Sequence, residues 1–193
     1  MSEPSGDRIL VTGALGQIGT ELVEALRQKH GSSSVIASDI RPEPQQTSNE
    51  QGPYAVLDVL DTESMIELCR QEAVGTVYHL AALLSATGEQ NPDLCRQVNV
   101  GGTKSVLEAA RQCSLRVFSP SSIAVFGPDA PKHAPQTTDF NPTTVYGETK
   151  VIGESLAQEY FQKYGVDTRG IRYPGLISYK APAGGGTTDY AVE

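Results

Sequence analysis

The chain has 193 residues, of which 38% are hydrophobic and 20% charged, which is ordinary for a globular protein with one well-packed domain. Its formal net charge of -8 repels nucleic-acid phosphates and anionic lipid, so we expect neither as a partner. The three cysteines lack disulfide or metal spacing, and no apolar run approaches the roughly 20 residues that span a membrane, so we expect a cytoplasmic protein.

Short apolar runs and helical stretches alternate along the chain. The predicted strands are Arg8–Thr12, Ser34–Asp39, Tyr54–Asp58, Thr76–Leu80, Arg116–Ser119 and Thr168–Tyr173. The predicted helices are Gln17–Lys29, Thr62–Glu72, Asn91–Cys113 and Val145–Tyr164. Alternation of this kind predicts an α/β fold of the Rossmann type, a doubly wound parallel sheet with helices on both faces.

A glycine-rich turn, Gly13-Ala14-Leu15-Gly16-Gln17-Ile18-Gly19, follows the first predicted strand and opens the first helix. Gly13 permits a tight turn, Gly16 lets the backbone approach a pyrophosphate, and Gly19 lets the helix pack on the strand. Glycine triplets also occur in ordinary turns, but here the strand, turn and helix are all in place. The helix N-terminus offers N–H groups to phosphates, so we predict a dinucleotide site formed by Gly13, Gly16, Gln17, Ile18 and Gly19.

Asp39 ends the second predicted strand, 20 residues after Gly19. A carboxylate there can accept hydrogen bonds from the adenosine ribose and repels a 2′-phosphate, so the predicted cofactor is NAD. Two alternatives stay open: Asp39 could be a capping residue, and Arg41 could accept the phosphate of NADP. Asp58, at the end of the third predicted strand, could reach the adenine amino group, and the adjacent Val59 joins the predicted cofactor set.

Tyr146 and Lys150 are four residues apart, so they lie on one face near the start of a predicted helix. A phenol is a poor base at neutral pH because its unperturbed pKa is about 10. A neighbouring ammonium, helped by a cationic nicotinamide, favours the phenolate and lowers that pKa. Tyr146 could then take the proton of a substrate hydroxyl while hydride leaves for the nicotinamide, and Lys150 could bind the nicotinamide ribose. By itself, this spacing is also typical of a solvated helix face.

The serine-rich stretch Ser119-Pro120-Ser121-Ser122 ends the fifth predicted strand, where ligands of such sheets bind. A hydroxyl here could hold the substrate oxygen while its proton moves to Tyr146. The residues alone leave open whether Ser121 or Ser122 does so, and whether the serine only caps the strand.

Together these motifs resemble the extended short-chain dehydrogenase/reductases over essentially all 193 residues. Further matching stretches are His79-Leu80-Ala81-Ala82, Asn99-Val100-Gly101-Gly102-Thr103 and Ser121-Ser122-Ile123-Ala124-Val125-Phe126-Gly127. The resemblance implies that Ser122, four residues before Phe126, is the catalytic serine beside Tyr146 and Lys150. The cofactor residues that complete the predicted set are Leu80, Ala81, Ala82, Asn99, Ser119, Tyr146, Lys150, Tyr173 and Ile177.

The C-terminal stretch resembles one branch of this family. Residues 171–178 and 186–191 are similar to the short-chain type of L-threonine 3-dehydrogenases, whereas sugar-nucleotide epimerases more often have asparagine where Pro174 stands. The resemblance implies NAD-dependent oxidation of L-threonine at C3 to 2-amino-3-oxobutyrate, a step of threonine catabolism towards glycine. The implied substrate contacts are Ser85, Ser122, Tyr146, Thr187 and Thr188. Two other functions stay open: a sugar-nucleotide epimerase or dehydratase, and a non-catalytic NAD-binding module.

Extended members of this family normally continue with a further substrate-binding stretch. We therefore expect an NAD-binding Rossmann domain over 1–175 and the start of a truncated substrate-binding region over 176–193. Family members commonly form homodimers through two long helices, here Asn91–Cys113 and Val145–Tyr164. His79 is expected in the core, and histidines this scattered predict no metal site.

Overall fold

The computed structural model describes residues 6–43 and 52–176. Within them, one sheet contains β1 (Arg8–Thr12), β2 (Val35–Asp39), β3 (Tyr54–Val56), β4 (Val74–His79), β5 (Arg116–Phe118) and β7 (Asp167–Arg169). Its strands run parallel in the order β3-β2-β1-β4-β5-β7. A second, two-stranded sheet pairs β6 (Ser121–Ser122) with β8 (Arg172–Tyr173).

The α-helices of the described residues differ in how their ends are capped. They are α1 (Gln17–His30), α2 (Thr62–Gln71), α3 (Ser85–Gln90), α4 (Pro92–Arg96), α5 (Gly102–Cys113) and α6 (Val145–Tyr164). The Thr144 hydroxyl caps α6 by accepting the Gly147 N–H, and Gly165 ends it in the left-handed conformation. None of the helices in this part of the chain is long and apolar enough to cross a membrane.

The main sheet is apolar on both faces because helices cover both. Leu10 and Ile36 face a core cluster that includes Met65 of α2 and several residues of α5. The alternate residues, Val11 and Val35, face a second cluster completed by α1. This arrangement confirms the predicted doubly wound, Rossmann-type fold.

Two predicted elements are wrong in detail. The strand predicted over Thr168–Tyr173 breaks at Gly170, so that its first part is β7 of the main sheet and its last part is β8 of the small sheet. A Cβ on Gly170 would lie 2.5 Å from the Ser119 carbonyl oxygen, which shows how closely the two backbones pass at the break. The helix predicted over Asn91–Cys113 is divided into α4, a π-helical turn at Gln97–Gly101, and α5. Helix α3 had no counterpart in the prediction.

We expect Leu10→Ala to lower the free energy of unfolding by about 2–5 kcal/mol, because Leu10 is fully buried in a central strand and its truncation leaves a cavity. Urea unfolding followed by circular dichroism measures the change. Ile40→Ala is the matched control, since Ile40 is 64% exposed just beyond β2, and it should change stability by less than about 0.5 kcal/mol. Equal losses in the two variants would contradict this assignment of the core.

Candidate active site

The glycine-rich turn joins β1 to α1 at the carboxyl edge of the sheet. Gly13 adopts a left-handed φ of 68°, and a Cβ there would lie 2.6 Å from the Ala81 nitrogen. A Cβ on Gly19 would collide with the Gly13 carbonyl oxygen. Both positions therefore require glycine, Gly13 for its backbone conformation and its contact with the β4 end, and Gly19 for helix packing.

The first turn of α1 is open to an anion. Its N-cap, Gly16, makes no side-chain capping bond, and no acidic residue lies in the first turn. The N–H groups at this end lack intrahelical partners and lie at the positive end of the helix dipole. The turn therefore fits the pyrophosphate of a dinucleotide.

Asp39 lies directly beside this turn. Its Oδ2 accepts the Leu15 N–H at 3.2 Å, and the Arg41 guanidinium donates to both carboxylate oxygens, at 2.9 and 3.2 Å. Burial raises the pKa of Asp39, but hydrogen bonds from Arg41 and Leu15 outweigh it and hold that pKa below its usual value. Asp39 is therefore a carboxylate at neutral pH, and Arg41 is engaged by it rather than free for a 2′-phosphate.

Asp58 and Val59 lie just beyond β3, next to the Asp39 region. The Asp58 side chain accepts the Leu60 N–H at 2.9 Å within a turn. The Val59 side chain is buried and packs against Gly102 of α5. The contact of Asp58 with adenine and the place of Val59 in the cofactor site stay predictions.

Ser122, Tyr146 and Lys150 come together where β6 meets the start of α6. The Ser122 side chain forms a hydrogen bond with Tyr146 and also accepts the Ala124 N–H at 3.1 Å. The Lys150 Nζ lies 5.4 Å from the centre of the Tyr146 ring and donates to the Pro120 carbonyl at 2.9 Å. Of the two candidate serines, Ser122 is the one that contacts Tyr146.

Burial dominates the ionisation of these groups. It raises the pKa of Tyr146, and the Ser122 hydrogen bond, which lowers that pKa, compensates only in part. Burial also lowers the pKa of Lys150 to about 8. The sequence analysis predicted that a neighbouring ammonium lowers the pKa of Tyr146. In the chain alone that pKa is raised instead, because burial of the phenol outweighs the groups that would lower it.

Asn99, predicted as a cofactor contact, has its side chain engaged within the protein. Its Oδ1 accepts the Leu83 N–H at 2.8 Å, and its Nδ2 donates to the Leu83 carbonyl and to Thr149 Oγ1, both at 3.1 Å. Thr149 lies on α6 between Tyr146 and Lys150. Asn99 thus fastens the loop after β4 to the helix that carries these two residues, a connection that the sequence did not reveal.

The remaining predicted residues are distributed around the same edge of the sheet. Leu80, Ala81 and Ala82 follow β4 next to Gly13, and Ser119 follows β5. Ser85 begins α3, a helix whose Glu89 also accepts the Val145 N–H of α6 at 2.7 Å. Gln17 reaches the Leu176 carbonyl, and Tyr173 pairs with Ser122. Outside the described residues lie Ile177, Thr187 and Thr188.

His79 is buried, as predicted. Its Nδ1 lies 2.9 Å from the Thr12 hydroxyl, and burial, followed by the nearby Lys150 charge, lowers the pKa of His79 to about 3. A neutral imidazole at the end of β4 is therefore part of the core. Within the part of the chain that the structure describes, no group of three or more acidic, histidine or cysteine side chains could hold a metal.

A cleft of about 790 Å³ extends from His79 and Lys150 between α6 and the sheet towards β7. Its lining includes neither the glycine-rich turn nor Tyr146. The cleft is lined by Ala81, Ala82, Asn99 and Ser119 of the predicted cofactor residues, but it does not extend to the glycine-rich turn.

Residues 9–190 match the model of the NAD dependent epimerase/dehydratase family. The chain belongs to that family. NAD is its cofactor. Three features of this epimerase/dehydratase family member fit NAD: the glycine-rich turn, the uncapped start of α1 and the Asp39 carboxylate.

The chain is similar both to uncharacterized epimerase/dehydratases and to solved L-threonine dehydrogenases. A Staphylococcus aureus (strain USA300) protein, described as an uncharacterized epimerase/dehydratase, is 52% identical over 96% of this chain and 58% of its own length. Two solved L-threonine dehydrogenases are also similar. A monomeric one from a metagenome is 52% identical, with a TM-score of 0.90 over 95% of this chain and 59% of that one. One from Clostridium difficile is 48% identical, with a TM-score of 0.91 over 97% of this chain and 59% of that one.

A more distant structure, UDP-glucose 4-epimerase from Brucella ovis in complex with NAD, is 27% identical with a TM-score of 0.79 over 88% of this chain and 52% of that one. The chain thus spans about three fifths of the length of the curated relatives that it matches.

We expect the unfolding free energy to depend on pH through His79. An unfolded histidine takes up a proton near pH 6.5, whereas His79 in the folded chain has a pKa of about 3. The folded state therefore binds fewer protons than the unfolded state. The contribution of His79 to the unfolding free energy is fully present above about pH 6.5 and is lost as the pH falls towards 3. Between about pH 7 and about pH 5 the loss is about 2 kcal/mol, measured by urea unfolding.

The same loss should be absent from His79→Gln. His133→Gln, which removes an exposed histidine, should follow the wild-type pH dependence. An unchanged pH dependence in His79→Gln would contradict the assignment.

Proposed function

We propose that this chain is the NAD-binding and catalytic part of an enzyme that oxidises L-threonine at C3 to 2-amino-3-oxobutyrate. The observation that carries the reaction type is the contact of Ser122 with Tyr146, with Lys150 one helical turn further on. Threonine as the substrate is supported by identities of 46–52% to solved L-threonine dehydrogenases, against 27% to a UDP-glucose 4-epimerase.

NAD, when bound, supplies the acceptor for the hydride that leaves C3 of threonine. Tyr146 is the base, and its phenolate oxygen takes the proton of the C3 hydroxyl as the carbonyl forms. The Ser122 hydroxyl holds the same substrate oxygen. Lys150 keeps a positive charge beside the phenolate, and its position on α6 also lets it bind the nicotinamide ribose. The phenolate of Tyr146, which burial alone disfavours, would be favoured further by the positive nicotinamide ring of a bound oxidised cofactor.

The cofactor is held, in this proposal, by the glycine-rich turn at its pyrophosphate and by Asp39 at its adenosine ribose. Residues 1–175 form the NAD-binding domain, and residues 176–193 begin the substrate-binding region. Ser85 contacts the amino acid from the start of α3, and Thr187 and Thr188 contact it from the C-terminal stretch.

A homodimer through α5 and α6 stays a prediction. Phe161 and Tyr164 of α6 are 52% and 54% exposed, so apolar surface is present there. However, one solved relative is described as a monomeric L-threonine 3-dehydrogenase.

We expect Tyr146→Phe to reduce threonine-dependent formation of NADH by at least about 100-fold, because the base is removed. The binding of NAD, measured by calorimetry, should change less than about twofold, since the phosphate and ribose contacts remain. Tyr164→Phe is the matched control, because it removes an exposed phenol hydroxyl from the same helix. Equal rates in wild type and Tyr146→Phe would refute the proposal. An epimerase would form no net NADH from threonine.

We expect Asp39→Asn to weaken NAD binding by about tenfold or more, because a hydrogen bond to a charged group is lost. The same change should narrow the preference for NAD over NADP, since Arg41 is released from its carboxylate partner. Calorimetric titration with each cofactor measures both effects. Asp167→Asn, which removes a carboxylate paired with exposed Arg169 on β7, should bind NAD like the wild type. An undiminished affinity in Asp39→Asn would show that Asp39 serves only as a cap.

A further inference from the structure

An enclosed ion pair lies one helical turn beyond Lys150 on α6. Glu154 accepts two parallel hydrogen bonds from Arg172 of β8, with Nε–Oε1 at 2.9 Å and Nη2–Oε2 at 2.8 Å. The Arg172 side chain is only 14% exposed, and its guanidinium lies 5.2 Å and 4.7 Å from the ring centres of Phe126 and Phe140. A bidentate pair stacked on aromatic rings is held in one geometry.

This pair is bonded to the residue before Ser122. The Ser121 hydroxyl donates to Glu154 Oε1 at 2.5 Å, and the Ser121 N–H donates to the Ile171 carbonyl at 2.9 Å. In the small sheet, Ser121 is the register partner of Arg172. Backbone pairing and the side-chain bond therefore anchor Ser121 from β8 and from α6 together.

The direction of Ser122 follows from the anchoring of Ser121. Adjacent side chains of a strand point to opposite faces, so Ser122 points to Tyr146 when Ser121 points to Glu154. A β6 strand of two residues has little pairing of its own to resist a rotation. Without the anchor, the Ser122 hydroxyl would lose its fixed relation to Tyr146.

We propose that the Glu154–Arg172 ion pair is a positioning device that, through Ser121, holds the Ser122 hydroxyl against Tyr146. The inference rests on the proposed function only in taking Ser122 and Tyr146 as the reacting pair. The same ion pair joins β8, from which the chain continues into the region expected to bind substrate, to the helix that carries Tyr146 and Lys150.

The test is the ionisation of Tyr146 in Glu154→Gln, followed by tyrosinate absorbance after stopped-flow pH jumps, before alkaline unfolding. The same variant carrying Tyr146→Phe provides the reference for subtraction. We expect the titration midpoint to rise by about one pH unit, towards that of Ser122→Ala, because a hydrogen bond to the phenolate is lost. Loss of the Glu154 charge alone would lower the midpoint, because it removes an anion and leaves the Arg172 cation.

A midpoint in Glu154→Gln that is unchanged or lower than in wild type would overturn the proposal. Glu159→Gln is the matched control, since Glu159 forms an exposed ion pair with Lys163 on the same helix, and its midpoint should equal that of wild type. If circular dichroism shows Glu154→Gln to be unfolded, Ser121→Ala takes its place. It removes only the hydroxyl that reaches Glu154, and an unchanged midpoint there would equally overturn the proposal.

Kinetics separate this inference from the proposed function. With threonine and NAD, Glu154→Gln should lower kcat by about tenfold and leave the KM for NAD unchanged, because misplacement affects the reacting groups and not the cofactor contacts. Threonine oxidation without the midpoint shift would overturn the positioning role alone. A midpoint shift in a chain that forms no NADH from threonine would support the positioning role and overturn the proposed substrate.

Discussion

The ends of β1 and β4 touch at Gly13, where the missing side chain lets the glycine-rich turn lie against the backbone of Ala81. The rest of the site extends from this contact. The loop that follows Ala81 is held at Leu83 by Asn99, and Asn99 also bonds Thr149 on α6. A continuous set of short contacts thus joins the glycine-rich turn to α6, the helix that carries Tyr146 and Lys150.

Enclosure, more than charge pairing, sets the ionisation of the groups along this path. It keeps His79 neutral, lowers the pKa of Lys150 and raises that of Tyr146. Tyr146 is therefore protonated at neutral pH in the chain alone, and under the proposed function a bound cationic cofactor would favour its phenolate form. Proton abstraction would then be coupled to the presence of the oxidised cofactor.

At the pair of Glu154 and Arg172, as at Asp39, hydrogen bonds overcome burial and keep the groups charged. The pair bridges α6 and β8 around the short strand that presents Ser122. It lies just beyond the break at Gly170, where the chain leaves the main sheet and Arg172 bonds to Glu154.

The sequence by itself determined the fold class, the glycine-rich turn and α6 with its Tyr146 and Lys150, because strand and helix periodicity and the glycine requirement are local properties. It also indicated NAD through Asp39, which ends a strand at a known distance from the turn. Tertiary structure decided the rest. The break at Gly170, the π-helical turn that directs Asn99, and the contact of Ser122 with Tyr146 depend on partners distant in sequence. The pKa values of Tyr146 and Lys150 likewise depend on burial, which spacing along a helix does not reveal.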